Sequence, residues 1–316
     1  MIDPVIVLFG LGVGLLVGMT GIGGGSIMTP LLILVLGVKP VTAIGTDLLY
    51  AAITKTLGGW RHLRQGTVDL GISGWLATGS VPGALGGVIV LERIHDAYGE
   101  GFDATVLLIV AGALLLTGAA TIGRTVFLPG MAERERDTLV LDRSHKLAAG
   151  AIGLSVGFVL GISSAGSGAL IAIGLIVVFR LTPRRVVGTD VFHAAILLWV
   201  ASLAHLASGN VDLWLTGNLL IGSLPGVWVG SGLSVRVPQG VLRPALGIVL
   251  VAAGLGILTK AGLDIPAPVL VVVPVALAVL TFLLARGRGP ARDPEDVAME
   301  EEMAAAGGPS VRGGEG

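Results

Sequence analysis

The sequence is short of charge. Lys, Arg, Asp and Glu together make up 13% of its 316 residues, against roughly 25% in a soluble domain. That is too little to cover a globular surface of this size, so an ordinary soluble protein is excluded. Cysteine is absent, which removes disulfides, thiolate metal sites and cysteine nucleophiles but does not fix a compartment. Only 5 histidines are present, so a dedicated zinc centre is not expected, and no cofactor is implied. The net charge of -1 gives no case for a nucleic-acid partner. No Lys or Arg stands in Met1-Ile2-Asp3-Pro4, so the start does not read as a secretory signal, and nothing there holds the N-terminus in the cytoplasm. Enzyme signatures are also missing: there is no H-E-x-x-H, no Walker lysine and no Ser-His-Asp spacing. Gly21-x-Gly23 matches part of a dinucleotide fingerprint, but no βαβ unit surrounds it. The chain reads as a non-enzyme.

What is abundant is apolar. Hydrophobic residues make up 53% of the chain, there are 51 glycines, and the mean hydropathy is +0.91. No Gly-X-Y period accompanies the glycine. The class left is an all-α polytopic membrane protein, with the lipid bilayer as its first partner. Apolar segments run at about 5–20, 26–37, 43–60, 68–91, 104–122, 147–162, 168–179, 187–206, 212–234, 242–259 and 268–285. Most approach the roughly 20 residues that cross the hydrocarbon core. Segments 26–37 and 168–179 are short, and each follows a glycine- and serine-rich break: Gly21-Ile22-Gly23-Gly24-Gly25-Ser26, and Gly161-Ile162-Ser163-Ser164-Ala165-Gly166-Ser167-Gly168.

The chain contains an internal duplication. At a shift of 143, residues 40–87 and 183–230 align without a gap and 20 of the 48 positions are identical. Gly45-Thr46-Asp47 meets Gly188-Thr189-Asp190, and Val68-Asp69-Leu70 meets Val211-Asp212-Leu213. The charges are not duplicated. Arg61 and Arg64 follow segment 43–60, whereas the counterpart loop at Ser208-Gly209-Asn210 has no Lys or Arg. Arg180, Arg184 and Arg185 flank Pro183, whereas only Lys39 flanks Pro40. By the positive-inside rule the two halves are oppositely oriented. If each half is a short hairpin plus three spans, 16 of the 20 Lys and Arg fall inside, with the N-terminus outside and the C-terminus inside. A rival topology, in which the two segments of each short pair both cross and return, satisfies the same count.

The fold expected is therefore two inverted-topology repeats, each a broken or re-entrant helix pair plus about three spanning helices, with one extra C-terminal span. The boundaries read as a first repeat at 1–123, a cytoplasmic linker at 124–146, a second repeat at 147–260, the extra helix at 261–286 and a hydrophilic, disordered cytoplasmic tail at 287–316.

Inverted repeats with interrupted helices are a transporter architecture, with the substrate near the midplane. A glycine-rich break frees backbone N–H groups, and the helix after it begins with its positive dipole end, which suits an anion. The candidate substrate ligands are Gly23, Gly24, Gly25, Ser26, Ser163, Ser164, Gly166, Ser167 and Gly168. The bland reading is that such glycines only let helices pack closely. Asp47 and Asp190 are candidates for proton coupling, since a carboxylate within the membrane is costly. Helix capping by a Thr-Asp pair is an equal alternative for both. Asp69 and Asp212 read as caps. Lys55 either lines an anion path or snorkels to the face. Thr46, Thr189, Tyr50 and its repeat-mate His193 are candidates for hydrogen bonding in the cavity. His62 and His205 read as interface residues, and the five tryptophans as an aromatic belt.

The Gly-x-Gly-Gly-Gly break followed by Pro30, the Gly45-Thr46-Asp47 triplet and the Ser163-to-Gly168 break together resemble the TauE/SafE sulfite exporter family, also called the 4-toluene sulfonate uptake permeases. The resemblance covers about residues 5–260. It implies an inner-membrane carrier for sulfite, sulfonates, sulfoacetate or related sulfur oxyanions, with proton coupling commonly supposed. Ser163 stands where the family often has Thr, and Ala169 replaces a usual hydroxyl residue. The function expected is a secondary transporter (permease or exporter) of small sulfur oxyanions in the cell membrane, with protons as candidate partners and a homo-oligomer left open. The alternatives are an anion channel of the same architecture, or a non-transporting membrane subunit or membrane enzyme.

Overall fold

The computed structural model describes residues 2–20, 25–98, 101–127, 139, 141–234 and 239–286. Gly23, Gly24 and the tail at 287–316 lie outside them. The described residues form eleven helices: α1 Pro4–Thr20, α2 Gly25–Leu34, α3 Pro40–Arg64, α4 Leu70–Tyr98, α5 Phe102–Phe127, α6 Arg143–Ser163, α7 Ser167–Val177, α8 Pro183–Ala207, α9 Leu213–Ser234, α10 Gln239–Lys260 and α11 Ala267–Arg286. Each apolar segment of the sequence is one helix. Six helices are long and apolar enough to cross a membrane by length and composition. Leu116, Leu154, Val271 and Trp228 are among the many large apolar side chains on the outside of the bundle, where a membrane protein meets lipid.

Local rules fix the helix ends. Pro40 and Pro183 each sit at the start of a 25-residue helix, where the missing N–H costs nothing. Asp69 Oδ1 accepts from the Ile72 amide at 2.9 Å, and Asp212 Oδ1 from the Leu215 amide at 2.8 Å. These carboxylates cap α4 and α9, as expected of them. Asp142 caps α6 through the His145 amide. That bond and the Ser144 hydroxyl hold its carboxyl down at about 2.

Four helix pairs make the body. α1 packs on α9, α4 on α6, α3 on α8 and α5 on α10. Exchanging the halves turns the first pair into the second and leaves the other two unchanged. α1 and α9 run parallel, with Gly10 on Leu219, Gly14 on Ser223 and Gly18 on Val227. α4 and α6 run parallel in the same way, with Gly79 on Gly150, Gly83 on Leu154 and Gly87 on Phe158. Opposing glycines Gly222, Gly226 and Gly230, and Gly153, Gly157 and Gly161, complete both seams. These are four-residue stripes in which backbone meets backbone, the small-residue packing membranes favour. By contrast, α3 and α8 run antiparallel. Gly59 lies on Phe192 and Ala195, and Trp199 donates its indole N–H to Thr56 Oγ1 at 2.8 Å. Thr56 and Trp199 are themselves repeat-mates. α5 and α10 are antiparallel too, with Gly118 on Gly247 and Gly254 on Leu115.

Two helices are too short to cross a hydrocarbon core by themselves. α2 has 10 residues and α7 has 11; at 1.5 Å per residue each is about 15 Å long, half of a hydrocarbon core of about 30 Å. α1 leaves from the end of the bundle where the Asp3 amide bonds Asn218 at 2.7 Å. α2 returns to that end, where Lys260 donates to the Ile33 carbonyl at 2.5 Å. The same end opens into a cavity of about 520 Å³ lined by Lys39, Thr42, Glu92, His95, Asp103 and Asn210, among others.

Candidate functional site

α3 begins at Pro40, earlier than its apolar run suggested, so Asp47 lies two turns inside it. Asp190 lies equally far inside α8. Neither residue caps its helix. Asp47 is fully buried. Its Oδ2 accepts three hydrogen bonds: from the Thr29 hydroxyl at 2.6 Å, the Thr29 amide at 3.2 Å and the Ser164 hydroxyl at 3.0 Å. The two hydroxyl oxygens stand 2.6 Å apart. Thr29 belongs to α2, which follows the first break. Ser164 is the left-handed residue, at φ 60°, that ends α6 in the second break. Side chains from both interrupted helices thus converge on one carboxylate. Asp47 Oδ1 is buried with no hydrogen-bond partner among the described residues.

Asp190 differs. Ala172 stands at the position equivalent to Thr29, so the threonine that serves Asp47 has no counterpart here. Its Oδ1 is likewise buried without a partner among the described residues. The charges that act on it are Lys55 first and Arg124 second. Lys55 is 7% exposed, so it does not snorkel to the surface. Its ammonium is subject to both carboxylates, Asp190 before Asp47.

Around the carboxylates the two halves tie each other down. Thr46 Oγ1 accepts from the Asp212 amide at 3.1 Å, and Thr189 Oγ1 from the Asp69 amide at 2.9 Å. Each Gly-Thr-Asp threonine therefore holds the loop that enters a long helix of the other half. His193 Nε2 lies 3.1 Å from Ser80 Oγ. At the equivalent place the Tyr50 and Ser223 hydroxyls are buried with no hydrogen-bond partner among the described residues. The His193–Ser80 contact bridges the halves, and all four residues are fully buried. Among the described residues no cluster of three or more His, Asp or Glu could hold a metal ion.

The profile of the sulfite exporter TauE/SafE family matches residues 6–257. The chain belongs to the sulfite exporter TauE/SafE family. Among similar proteins, the probable membrane transporter protein YjnA of Bacillus subtilis strain 168 is 38% identical over 248 residues, 78% of this chain and 96% of its own. YdhB of the same strain, also a probable membrane transporter protein, is 29% identical over 238 residues, covering 74% and 91%. YunE, with the same description, is 27% identical over 257 residues, covering 78% and 92%. No solved structure matches. The chain is a multi-pass helical membrane protein of a transporter family.

Within this TauE/SafE member, the sequence candidates divide into groups. Asp47, Ser164 and Lys55 are brought to the centre. Asp190 joins them through Lys55. Thr46, Thr189 and His193 make contacts between the halves. Ser163 turns its hydroxyl back to the Val159 carbonyl at 2.6 Å. Gly166, at φ 101°, begins α7, and Gly168 is buried in its first turn. Gly25 and Ser26 open α2. The side chain of Ser167 lies outside the described residues. The residue missed is Thr29. Its signal was a lone hydroxyl three residues after the first break in an otherwise apolar run, but its repeat-mate is alanine, so the duplication did not mark it. His205, expected at the interface, is instead fully buried.

Proposed function

We propose that this protein is a secondary transporter of small sulfur oxyanions, of which sulfite and sulfonates are the first candidates, and that it is proton-coupled. Access alternates between two inverted repeats, 1–123 and 147–260, joined by a linker at 124–146 and followed by an extra helix at 261–286. The N-terminus lies outside, and the C-terminus and tail lie on the cytoplasmic side of the cell membrane. The inversion is supported by the antiparallel crossing of α3 with α8 and of α5 with α10, and by the short helices that return to the end where their hairpins began. Parallel repeats would cross these self-equivalent pairs in parallel.

The observation that carries the site is the convergence of Thr29 and Ser164 on buried Asp47. The fixed charges at the centre are Asp47 and Asp190 against Lys55, with Arg124 acting on Asp190 from the last turn of α5. A buried charge without compensation is costly. An oxyanion entering such a site needs a proton with it. Asp47 is suited to hold that proton. Its triangle with Thr29 and Ser164 has three oxygen–oxygen edges but only two hydroxyl protons. A proton on the carboxyl fills the third edge. Gly25, Ser26, Gly166 and Gly168 supply amides and a hydroxyl to the oxyanion; the Ser163 hydroxyl is spent on the Val159 carbonyl, and Gly23, Gly24 and the Ser167 side chain, candidates from the sequence, lie outside the described residues. Tyr50, His193, Thr46 and Thr189 frame the path. Lys55 provides the cationic pull.

The test is uptake of labelled sulfite into proteoliposomes with the interior made alkaline. The expected result is saturable accumulation that collapses with the pH gradient, together with counterflow when the vesicles are preloaded with unlabelled sulfite. Flux without counterflow would make the protein a channel.

A further inference from the structure

The last turn of a helix that stops inside a protein leaves carbonyls without partners. At the end of α6 the Leu160 carbonyl is satisfied by the Ser164 amide at 2.8 Å. The next carbonyl, Gly161, is reached from another helix: His205 Nε2, near the end of α8, lies 2.8 Å from it. A carbonyl only accepts, so the imidazole carries its proton on Nε2. The other ring nitrogen, Nδ1, is buried with no partner among the described residues. A hydrophobic side chain would fill this space without burying a bare nitrogen. The bond to Gly161 is what the imidazole adds.

That bond sits three residues before Ser164. Ser164 holds a left-handed conformation that a residue with a side chain rarely adopts. Its hydroxyl must nevertheless meet both Asp47 and Thr29. The brace is not duplicated. His62, the repeat-mate of His205, lies 3.0 Å from Thr67 Oγ1 in its own loop instead. The first break has Gly21, not serine, at the position equivalent to Ser164. The imidazole brace therefore goes with the break that supplies a hydroxyl to Asp47. Ser208, one turn beyond His205, donates to Glu92, which lines the cavity at the end of the bundle. The end of α8 is thus tied on one side to that cavity and on the other to the break.

We propose that His205 is a positioning residue for the transport site: it holds the Gly161 carbonyl so that the second break presents Ser164 to Asp47. The importance of this for transport rests on the reading of Asp47 and Ser164 as the site. Transport and site geometry are therefore measured separately. In sulfite proteoliposomes His205→Leu raises KM ~10-fold, the scale of one lost buried hydrogen bond. His205→Gln, which keeps an N–H donor, stays within ~3-fold. His205→Asn, too short to reach, follows Leu and serves if Leu does not fold. In a Ser164→Ala background His205→Leu adds less than ~2-fold, because the group it positions is already gone. Effects that multiply across the two sites, or a Gln variant as impaired as Leu, would overturn the proposal.

The second measurement needs no substrate. The chain has no cysteine, so Ala165→Cys, at a buried position in the break, carries the only thiol. His205→Leu increases its reaction rate with a maleimide in detergent ~10-fold, and His205→Gln leaves it unchanged. An unchanged rate in the Leu and Asn variants refutes the brace. If the wild type moves no sulfite while the thiol rates behave as stated, the transport reading fails and the brace stands.

Discussion

Asp47→Asn abolishes proton-driven accumulation of sulfite while exchange survives. One pH unit is worth 1.36 kcal/mol per proton, so a carrier coupled to one proton accumulates its substrate about tenfold across that gradient. The Asn variant accumulates none, and its counterflow rate stays within ~5-fold of wild type. The side chain keeps its volume, and its carbonyl oxygen still accepts from Thr29 and Ser164 at the positions now 2.6 and 3.0 Å away. What it cannot do is take up and release a proton. Asp190→Asn also lowers accumulation more than exchange, but by less, because Ala172 stands where Thr29 serves Asp47 and the charges of Lys55 and Arg124 act on its carboxylate. Accumulation unchanged in Asp47→Asn would return this residue to a structural role.

The largest effect on folding comes from the seams. Gly157→Leu yields no monodisperse protein, or lowers the melting temperature by an amount equivalent to ~3 kcal/mol or more. A Cβ on Gly157 would lie 2.7 Å from Ser80 Cα and 2.8 Å from its carbonyl carbon. Those are backbone atoms of α4 and cannot rotate away, so the whole crossing has to open. Ser80 also holds His193, so the damage spreads to the contact between the halves. Gly74→Ala, in the same α4, is the counter-case. Nothing lies within 4 Å of its added Cβ, and alanine gains up to ~1 kcal/mol of helix propensity. It should melt no lower than wild type. If Gly157→Leu melts like Gly74→Ala, the close approach of α4 and α6 is wrong.

The architecture was largely legible because its signals are long and repeated. Twenty-residue apolar runs and the shift of 143 each extend over many positions, whereas the lopsided arginines bear on the proposed orientation of the halves. The site was only half legible. Asp47 and Ser164 stood out as a polar residue in an apolar segment and as part of a break. Whether Asp47 capped its helix depended on where α3 starts. Pro40, at the first helical turn, carries that information better than hydropathy, because its missing N–H costs nothing there. Thr29 and His205 were not legible for a different reason. Each acts on a residue more than 17 positions away, through a crossing fixed only when the halves meet. Duplication also misleads here. Repeat-mates share a backbone position but not a partner, as Thr29 with Ala172 and His205 with His62 show. Thr46 and Thr189 illustrate the opposite case, a matched pair that makes matched contacts between the halves.

The central claim is that two halves of one ancestry stand upside down to each other and so bring both interrupted helices to one carboxylate. Gln65 and Ser208 are repeat-mates, each the first residue after its 25-residue helix. With no native cysteine, Gln65→Cys and Ser208→Cys each place a single thiol at an equivalent position. On intact cells a membrane-impermeant maleimide should label Ser208→Cys and should reach Gln65→Cys only after the membrane is opened. Labelling of both from the same side would contradict the inverted arrangement and, with it, the placement of the site.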